Sequence, residues 1–216
     1  MRLGLKRNGP DDPGRASVAD VGLLALRLGA GSLLAGHGAQ KLFGSFQGPG
    51  LQGFGGALGS LGLQPAQPWA VLGGLSEFGG GTLLALGLGG PIGPLALQGA
   101  MLSAIRRAHW KLPLWVSSGG AELALLYALI GAAVATTGPG RYSLDHALGL
   151  KVPPVLSLAT ALSVAAGLAL AEAQVAAAAP AEAATPAADA DAATELDPLA
   201  APEGGVPPDD PGTSEA

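Results

Sequence analysis

Five long apolar stretches run through the chain, and each contains few charged residues. They cover residues 20–41, 68–88, 90–107, 118–136 and 152–175. Most approach the length of about 20 residues that an α-helix needs to cross the hydrocarbon layer of a bilayer. The pattern therefore predicts an all-α membrane protein with five transmembrane helices.

Composition supports the membrane class. The chain is 49% hydrophobic and only 12% charged, and its mean hydropathy is +0.41. A soluble domain usually carries about a quarter charged residues. Many of the 36 glycines lie inside the apolar stretches, where small residues allow membrane helices to approach closely. The absence of cysteine excludes disulfides, thiolate metal sites and dithiol relays, so electron transfer requires a bound cofactor or a partner.

The polar segments divide the chain into regions. Residues 1–19 mix charges with Pro and Gly and are predicted to be a mobile leader. We expect residues 20–150 to form a transmembrane bundle and residues 151–175 to contain an additional transmembrane helix. The Gly-rich and Pro-rich loop at 43–67 has the pattern of a short amphipathic turn. Residues 176–216 are dominated by Ala, Pro and acids, which predicts a disordered tail.

Charge predicts an orientation in the cell membrane. Nine acidic residues follow Ala179, so the rest of a chain with net charge −5 carries +4. More cations flank the N-terminal face of the predicted spans than the opposite face. The positive-inside rule then places the N-terminus in the cytoplasm and, with five spans, the acidic tail outside.

Seven ionisable residues in the first four apolar stretches lie at or near membrane depth. A charged side chain at the bilayer centre costs about 2.5 to 3.5 kcal/mol, so such groups are expected to face one another or a polar cavity. The sequence therefore predicts an intramembrane polar binding site made of Arg27, His37, Lys41, Glu77, Arg106, Arg107 and Glu122.

Helix geometry suggests how these charges pair. Arg27, His37 and Lys41 fall within an arc of about 80° on an ideal helix, and a stripe of small residues continues that face. Depth counting predicts that Arg27 pairs with Glu77. It also predicts that Lys41 or His37 pairs with Glu122. Two interpretations stay open, because buried ion pairs either fix helix register or form part of a site.

Other polar residues favour simpler roles. His109 and His146 are expected at the surface, and no His or Cys spacing indicates a metal site. Arg106 and Arg107 suit either an interfacial anchor or an anion contact. No residue pattern identifies a catalytic group. The segment made of Gly138, Pro139, Gly140, Arg141 and Asp145 is predicted to be a structural loop, in which Asp145 caps a short helix and pairs with Arg141 if the segment is helical.

Three groups of motifs resemble a known family. The first group is Leu26-Arg27-Leu28 followed by the run from Gly36 to Gly44. The second is Glu77-Phe78-Gly79-Gly80-Gly81, and the third is the run from Gly138 to Asp145. In this order and spacing, over about residues 21–148, they resemble the DoxX family. The resemblance implies a four-helix membrane bundle related to the small subunit of thiosulfate:quinone oxidoreductase, with a loose link to sulfur, thiol or redox-stress chemistry.

Two classes of function follow, and a third stays open. The first is a subunit or auxiliary protein of a membrane redox system whose inward charges bind a quinone head group or a small sulfur oxyanion. The second is a non-enzymatic carrier or channel, and the third is a membrane scaffold. No cofactor is evident from the residues, and a quinone is the cofactor that the first hypothesis admits. We expect the lipid bilayer and a redox protein as partners, leave homo-oligomers open, and expect no nucleic acid.

Overall fold

The computed structural model describes residues 17–183, with side chains to residue 178, and all regular structure in this range is helical. The predicted all-α fold is therefore confirmed for these residues. The chain divides after Ala179 into two units, and the helices and cavities described below belong to the first unit except for the end of α7. The α-helices are α1 Val18–Phe43, α2 Gly50–Ser60, α3 Ala66–Leu86, α4 Ile92–Ser103, α5 Glu122–Thr137, α6 Leu144–Leu148 and α7 Pro154–Ala183.

Local sequence explains where α1 begins and ends. Ser17 caps the helix by accepting a hydrogen bond from the backbone N–H of Asp20 at 3.2 Å, and the Asp20 carboxylate accepts from the Ser17 N–H at 2.8 Å. This capping box satisfies two amides that the first helical turn leaves unpaired. Gly44 ends the helix with a left-handed backbone, φ 71°, which glycine adopts without strain. The observed bounds thus extend the predicted span of 20–41 by two residues at each end.

Glycine allows α1 and α3 to pack with their backbones in contact. A methyl group added at Gly31 would lie 2.5 Å from the backbone nitrogen of Ala85, and one added at Gly81 would lie 2.5 Å from that of Ala35. Gly38 lies against the backbone of Phe78 in the same way. The predicted small-residue stripe on α1 therefore makes a close helix contact, and it sets the antiparallel register of the two helices.

A single apolar core joins α1, α3, α4 and α5. It consists of Ala30, Leu34, Leu84, Leu97, Met101, Ala128 and Val134. Consecutive helices of this set pack side by side, and α5 returns to contact α1. The short helix α2 packs on α1 and α3, where the sequence predicted an amphipathic turn.

Within the part of the chain that the structure describes, three helices are long and apolar enough to cross a membrane: Val18–Phe43, Ala66–Leu86 and the segment Pro154–Ala178. The predicted third and fourth spans are shorter than expected. Helix α4 ends at Ser103 and continues as a π-helical segment, Ala104–His109. Helix α5 begins at Glu122 rather than at 118, because Val116–Ser118 forms a 3₁₀ turn that ends on Gly119 at φ 76°.

The C-terminal helix is longer than predicted. Helix α7 ends at Ala183, whereas the sequence analysis ended the span at 175 and assigned disorder from 176. A run of alanines, 176–179, continues the helix because alanine has the highest helix propensity. The rest of the predicted tail, 184–216, and the leader before Ser17 lie outside the described residues.

We expect the α1–α3 contact to be sensitive to one added methyl group. Gly38→Ala should destabilise the protein by about 1 to 3 kcal/mol, because the methyl group meets the backbone of Phe78. Gly36→Ala is the matched control, since nothing lies within 4 Å of its added methyl group. The measurement is reversible unfolding in mixed detergent micelles, followed by circular dichroism. Equal stability of the two variants would contradict the close contact.

Candidate ligand-binding cavity

Lys41 and Glu77 form an ion pair inside the helical body. The Lys41 Nζ atom donates to Glu77 Oε1, and the two side chains are 27% and 4% exposed. Neither partner is the one predicted from sequence, since Glu77 was assigned to Arg27, and Glu122 to Lys41 or His37. The pair is nevertheless the intramembrane neutralisation that buried charges require.

The register of α1 against α3 explains the change of partner. Gly31 faces Ala85, and Gly38 faces Phe78, so Glu77 lies beside the last turns of α1. Depth counting had assumed that the two helices end level with each other. Instead α3 begins beyond the end of α1, at Ala66, and this shift carries Glu77 past His37 to Lys41.

Arg27 is completely buried and binds backbone carbonyl groups instead of a carboxylate. Its Nη1 atom donates to the carbonyl oxygens of Leu84 and Ala85 at 3.5 and 3.3 Å. Its Nη2 atom donates to the carbonyl of Tyr142 at 2.6 Å. The last carbonyls of a helix have no partner within it and carry partial negative charge, so a cation is stable there. The predicted Arg27–Glu77 pair is therefore wrong.

His37 and Glu122 lie away from the ion pair. His37 is exposed, and its Nδ1 lies 3.2 Å from Gln40 Oε1 on the same helix. His37 is adjacent in sequence to Gly38, which contacts α3. One residue along a helix is a rotation of about 100°, so the His37 side chain points away from that contact. Glu122 is the first residue of α5 and accepts from the Val116 N–H at 2.9 Å, so it closes the preceding loop. Neither residue pairs as predicted.

A cavity of about 490 Å³ lies next to the ion pair. Its walls come from α3, α4 and α7, and α2 covers it with Phe54, Leu58 and neighbouring residues. Most of the lining is aliphatic or aromatic. This volume falls within the range of about 300 to 1,000 Å³ that is typical of small-molecule sites, which are largely apolar with a few placed polar groups.

Four ionisable side chains line this cavity: Lys41, Glu77, Arg107 and His109. The Glu77 Oε2 atom is buried and has no hydrogen-bond partner within the described part of the chain. Lys41 also lies 4.9 Å from the ring centre of Phe54, which adds a cation–π contact. His109, predicted at the surface, is partly buried, and its Nδ1 lies 2.6 Å from the Gly119 carbonyl oxygen.

A second cavity, of about 340 Å³, lies beside the first. Arg107 lines both cavities, while Arg106, Lys111 and Trp110 line only the second. The two arginines face Glu172 of α7 at 3.6 Å for Arg106 and 3.2 Å for Arg107. Sequence analysis did not assign these arginines a carboxylate partner.

The loop predicted at 138–145 is structural, but its bonds differ from the prediction. Ser143, and not Asp145, caps α6 by accepting from the His146 N–H at 3.2 Å. The buried Asp145 carboxylate accepts from the N–H groups of Gly89 and Gly90 at 2.9 and 2.6 Å. Arg141 precedes α6, so the helical spacing assumed for an Arg141–Asp145 pair is not present. The loop thus fastens α6 to the α3–α4 turn, with Gly138 and Gly140 at positive φ.

Comparison with known families matches one family model to part of the chain. The DoxX family model matches residues 22–110, which include most of α1 and all of α2, α3 and α4. This part of the chain is a DoxX domain. No curated protein and no solved structure matches the chain.

The DoxX domain contains most of the predicted site but not all of it. Arg27, His37, Lys41, Glu77, Arg106 and Arg107 lie within it, whereas Glu122 and the 138–145 loop follow it. The resemblance noted over 21–148 is therefore supported only as far as residue 110. The chain is a helical membrane protein with this domain in its N-terminal half.

Helix α7 supplies the cavity residues that sequence reasoning missed. Thr160, Ser163, Val164, Gly167 and Leu168 line the first cavity at helical spacing. The recurrence of Thr, Ser and Gly at three-residue and four-residue intervals in a Leu-rich and Ala-rich helix was a usable signal. The Trp69 Nε1 donates to Gln174 Oε1 at 2.8 Å, and this contact had no counterpart in the charge pattern.

A double-mutant cycle should detect the Lys41–Glu77 pair. We expect Lys41→Met and Glu77→Gln to show a coupling of about 1 to 3 kcal/mol in unfolding free energy, since each substitution removes the same ion pair. Arg27→Met with Glu77→Gln is the control, because Arg27 binds the α3 carbonyls and a separate loop. That second pair should be additive. Additivity at Lys41 and Glu77, or strong coupling at Arg27, would contradict the observed partners.

Proposed function

We propose that the chain is a membrane subunit or auxiliary protein of a quinone-linked redox system, and that its larger cavity binds the head group of a quinol. The match to the DoxX family supports a membrane protein, and the redox role was suggested by the sequence resemblance alone. The proposal rests on the chemistry of the cavity.

The cavity suits a ligand with an apolar body and a small polar end. Leucines, alanines, Phe54 and Trp69 form most of the wall, and the ionisable groups occupy only part of it. A volume of about 490 Å³ accommodates a quinone ring and the start of its side chain. The charges face an interior between apolar helices, where a lipid-soluble molecule has access.

The observation that carries the proposal is the unpartnered Oε2 atom of Glu77. A carboxylate oxygen only accepts hydrogen bonds, and a buried one without a donor is unfavourable. The hydroxyl of a quinol is such a donor, whereas an oxidised quinone carries only acceptors. Lys41 donates to the other carboxylate oxygen, so its positive charge compensates the negative charge of Glu77. The geometry therefore favours the reduced form of the ligand.

The same carboxylate argues against a small sulfur oxyanion as the ligand of this cavity. Although Lys41 and Arg107 also line the cavity, an oxyanion offers no hydroxyl donor to the buried Oε2 atom of Glu77 and would lie near its negative charge. The largely apolar wall does not replace the hydration that such an ion loses. Because the chain has no cysteine, electrons from the quinol pass to a partner protein or to a cofactor that the partner carries.

We expect Glu77→Gln to reduce the preference for quinol over quinone about tenfold. The amide is a weaker acceptor than the carboxylate and adds a donor that suits the quinone oxygen. The measurement is calorimetric titration of the purified protein in neutral detergent, under anaerobic conditions, with a short-chain benzoquinone and separately with its quinol.

Glu122→Gln is the matched control, because it removes the same charge outside the cavity. Its quinol-to-quinone ratio should equal that of the wild-type protein. Binding of neither form, or an unchanged ratio in Glu77→Gln, would refute the proposal. Flux of a small solute through proteoliposomes without quinol binding would favour the carrier hypothesis instead.

A further inference from the structure

The second cavity differs in character from the first. It is lined by Arg106, Arg107 and Lys111, and by the single carboxylate of Glu172. Its charged lining therefore carries a net charge of +2, since three cations face one anion. Leu61, Leu112, Val175 and Ala108 add apolar surface beside these charges.

Arg107 shows that this cavity is more than an exposed basic patch. Its side chain is only 8% exposed, and its Nη2 atom is buried. Nη2 lies 3.2 Å from a Glu172 oxygen but makes no hydrogen bond to any residue that the structure describes. A buried guanidinium donor without a hydrogen bond is unfavourable until an acceptor of suitable geometry reaches it. Arginine binds carboxylate and phosphate oxygens with paired donors.

The surroundings indicate the rest of the ligand. Trp110 lies in the cavity wall with Arg106 stacked 5.8 Å from its ring centre. Tryptophan is typical of the boundary between lipid and water, and clusters of basic residues between membrane helices bind anionic head groups. We propose that the second cavity is a binding site for a phosphate-bearing anion, with the phosphate on Arg106, Arg107 and Lys111.

Glu172 occupies the position that the phosphate takes. Its carboxylate contacts both arginines from α7, and its side chain is 47% exposed, so it is free to turn toward water. A bound phosphate replaces it as the acceptor for the guanidinium groups. Glu172 therefore competes with the ligand, and its charge lowers the affinity for any anion at this site.

The test uses the full chain in neutral detergent and native mass spectrometry. The probes are dihexanoylphosphatidylglycerol, dihexanoylphosphatidylcholine as the zwitterionic comparison, and inorganic phosphate as competitor. We expect phosphatidylglycerol to bind at least tenfold more weakly to Arg106→Gln than to the wild-type protein. Lys151→Gln is the control, since it removes one exposed cation at the opposite end of α7.

The substitution Glu172→Gln is expected to change the affinity for phosphatidylglycerol in the opposite direction. It should bind phosphatidylglycerol at least threefold more tightly, because it removes the competing carboxylate. This conservative variant keeps the test informative if Arg106→Gln fails to fold by circular dichroism. Arg106 and Glu172 line only the second cavity, so the outcome is independent of quinol binding.

Two results support the site and distinguish the source of the phosphate. Binding of phosphatidylglycerol that inorganic phosphate does not displace identifies a lipid head group. Displacement by inorganic phosphate identifies a soluble phosphate site. The proposal is overturned if neither phosphatidylglycerol nor inorganic phosphate binds. It is also overturned if Arg106→Gln and Lys151→Gln bind phosphatidylglycerol equally, or if Glu172→Gln does not bind it more tightly than the wild-type protein.

Discussion

The contact between α1 and α3 is the constraint on which the rest of the structure depends. Gly31, Gly38 and Gly81 remove the side-chain volume between the helices, so the two backbones touch and only one register brings the glycines into contact. That register places Lys41 beside Glu77. It also places Arg27 at the end of α3, where the carbonyl groups of Leu84 and Ala85 accept its hydrogen bonds.

Sequence patterns predicted the helices and the inward direction of Arg27 and Glu77, but they did not predict which groups these two side chains contact. Hydropathy located α1, α3 and α7, and the small-residue stripe identified the face of α1 that packs closely. The pairing of Glu77 depends on how far α3 extends past α1, which is set by contacts distant in sequence. The position of Glu122 depends on a short 3₁₀ turn that apolar periodicity does not reveal. Helix periodicity identifies the face of a helix on which a residue lies. The level at which that residue meets a partner depends on how the neighbouring helix packs.

The buried charges therefore have two different physical roles. Arg27 is neutralised by the carbonyl end of a helix and by the Tyr142 carbonyl, and these bonds join α1, α3 and the loop before α6. Asp145 reinforces the same end by holding the amides of the α3–α4 turn. In the middle of α3, Glu77 keeps a carboxylate oxygen without a donor and lines a cavity. The two charges therefore differ in their surroundings: backbone carbonyls accept from both Nη atoms of Arg27, although its buried Nε has no hydrogen-bond partner among the described residues, whereas the unpartnered Oε2 of Glu77 belongs to a residue that lines a cavity.

Helix α7 makes the cavity a property of the whole chain and not of the DoxX domain alone. Residues 22–110 supply Lys41, Glu77 and Arg107, but the hydroxyl-bearing wall from Thr160 to Leu168 follows that domain. In the described part of α7 only Ala171 is fully buried, so this helix is held by few tight contacts. Its polar attachments to Trp69 and to the arginine pair lie near one end. Glu172 of α7 contacts Arg106 and Arg107 at the second cavity, while Thr160 to Leu168 of the same helix line the first, so α7 contributes to the walls of both cavities.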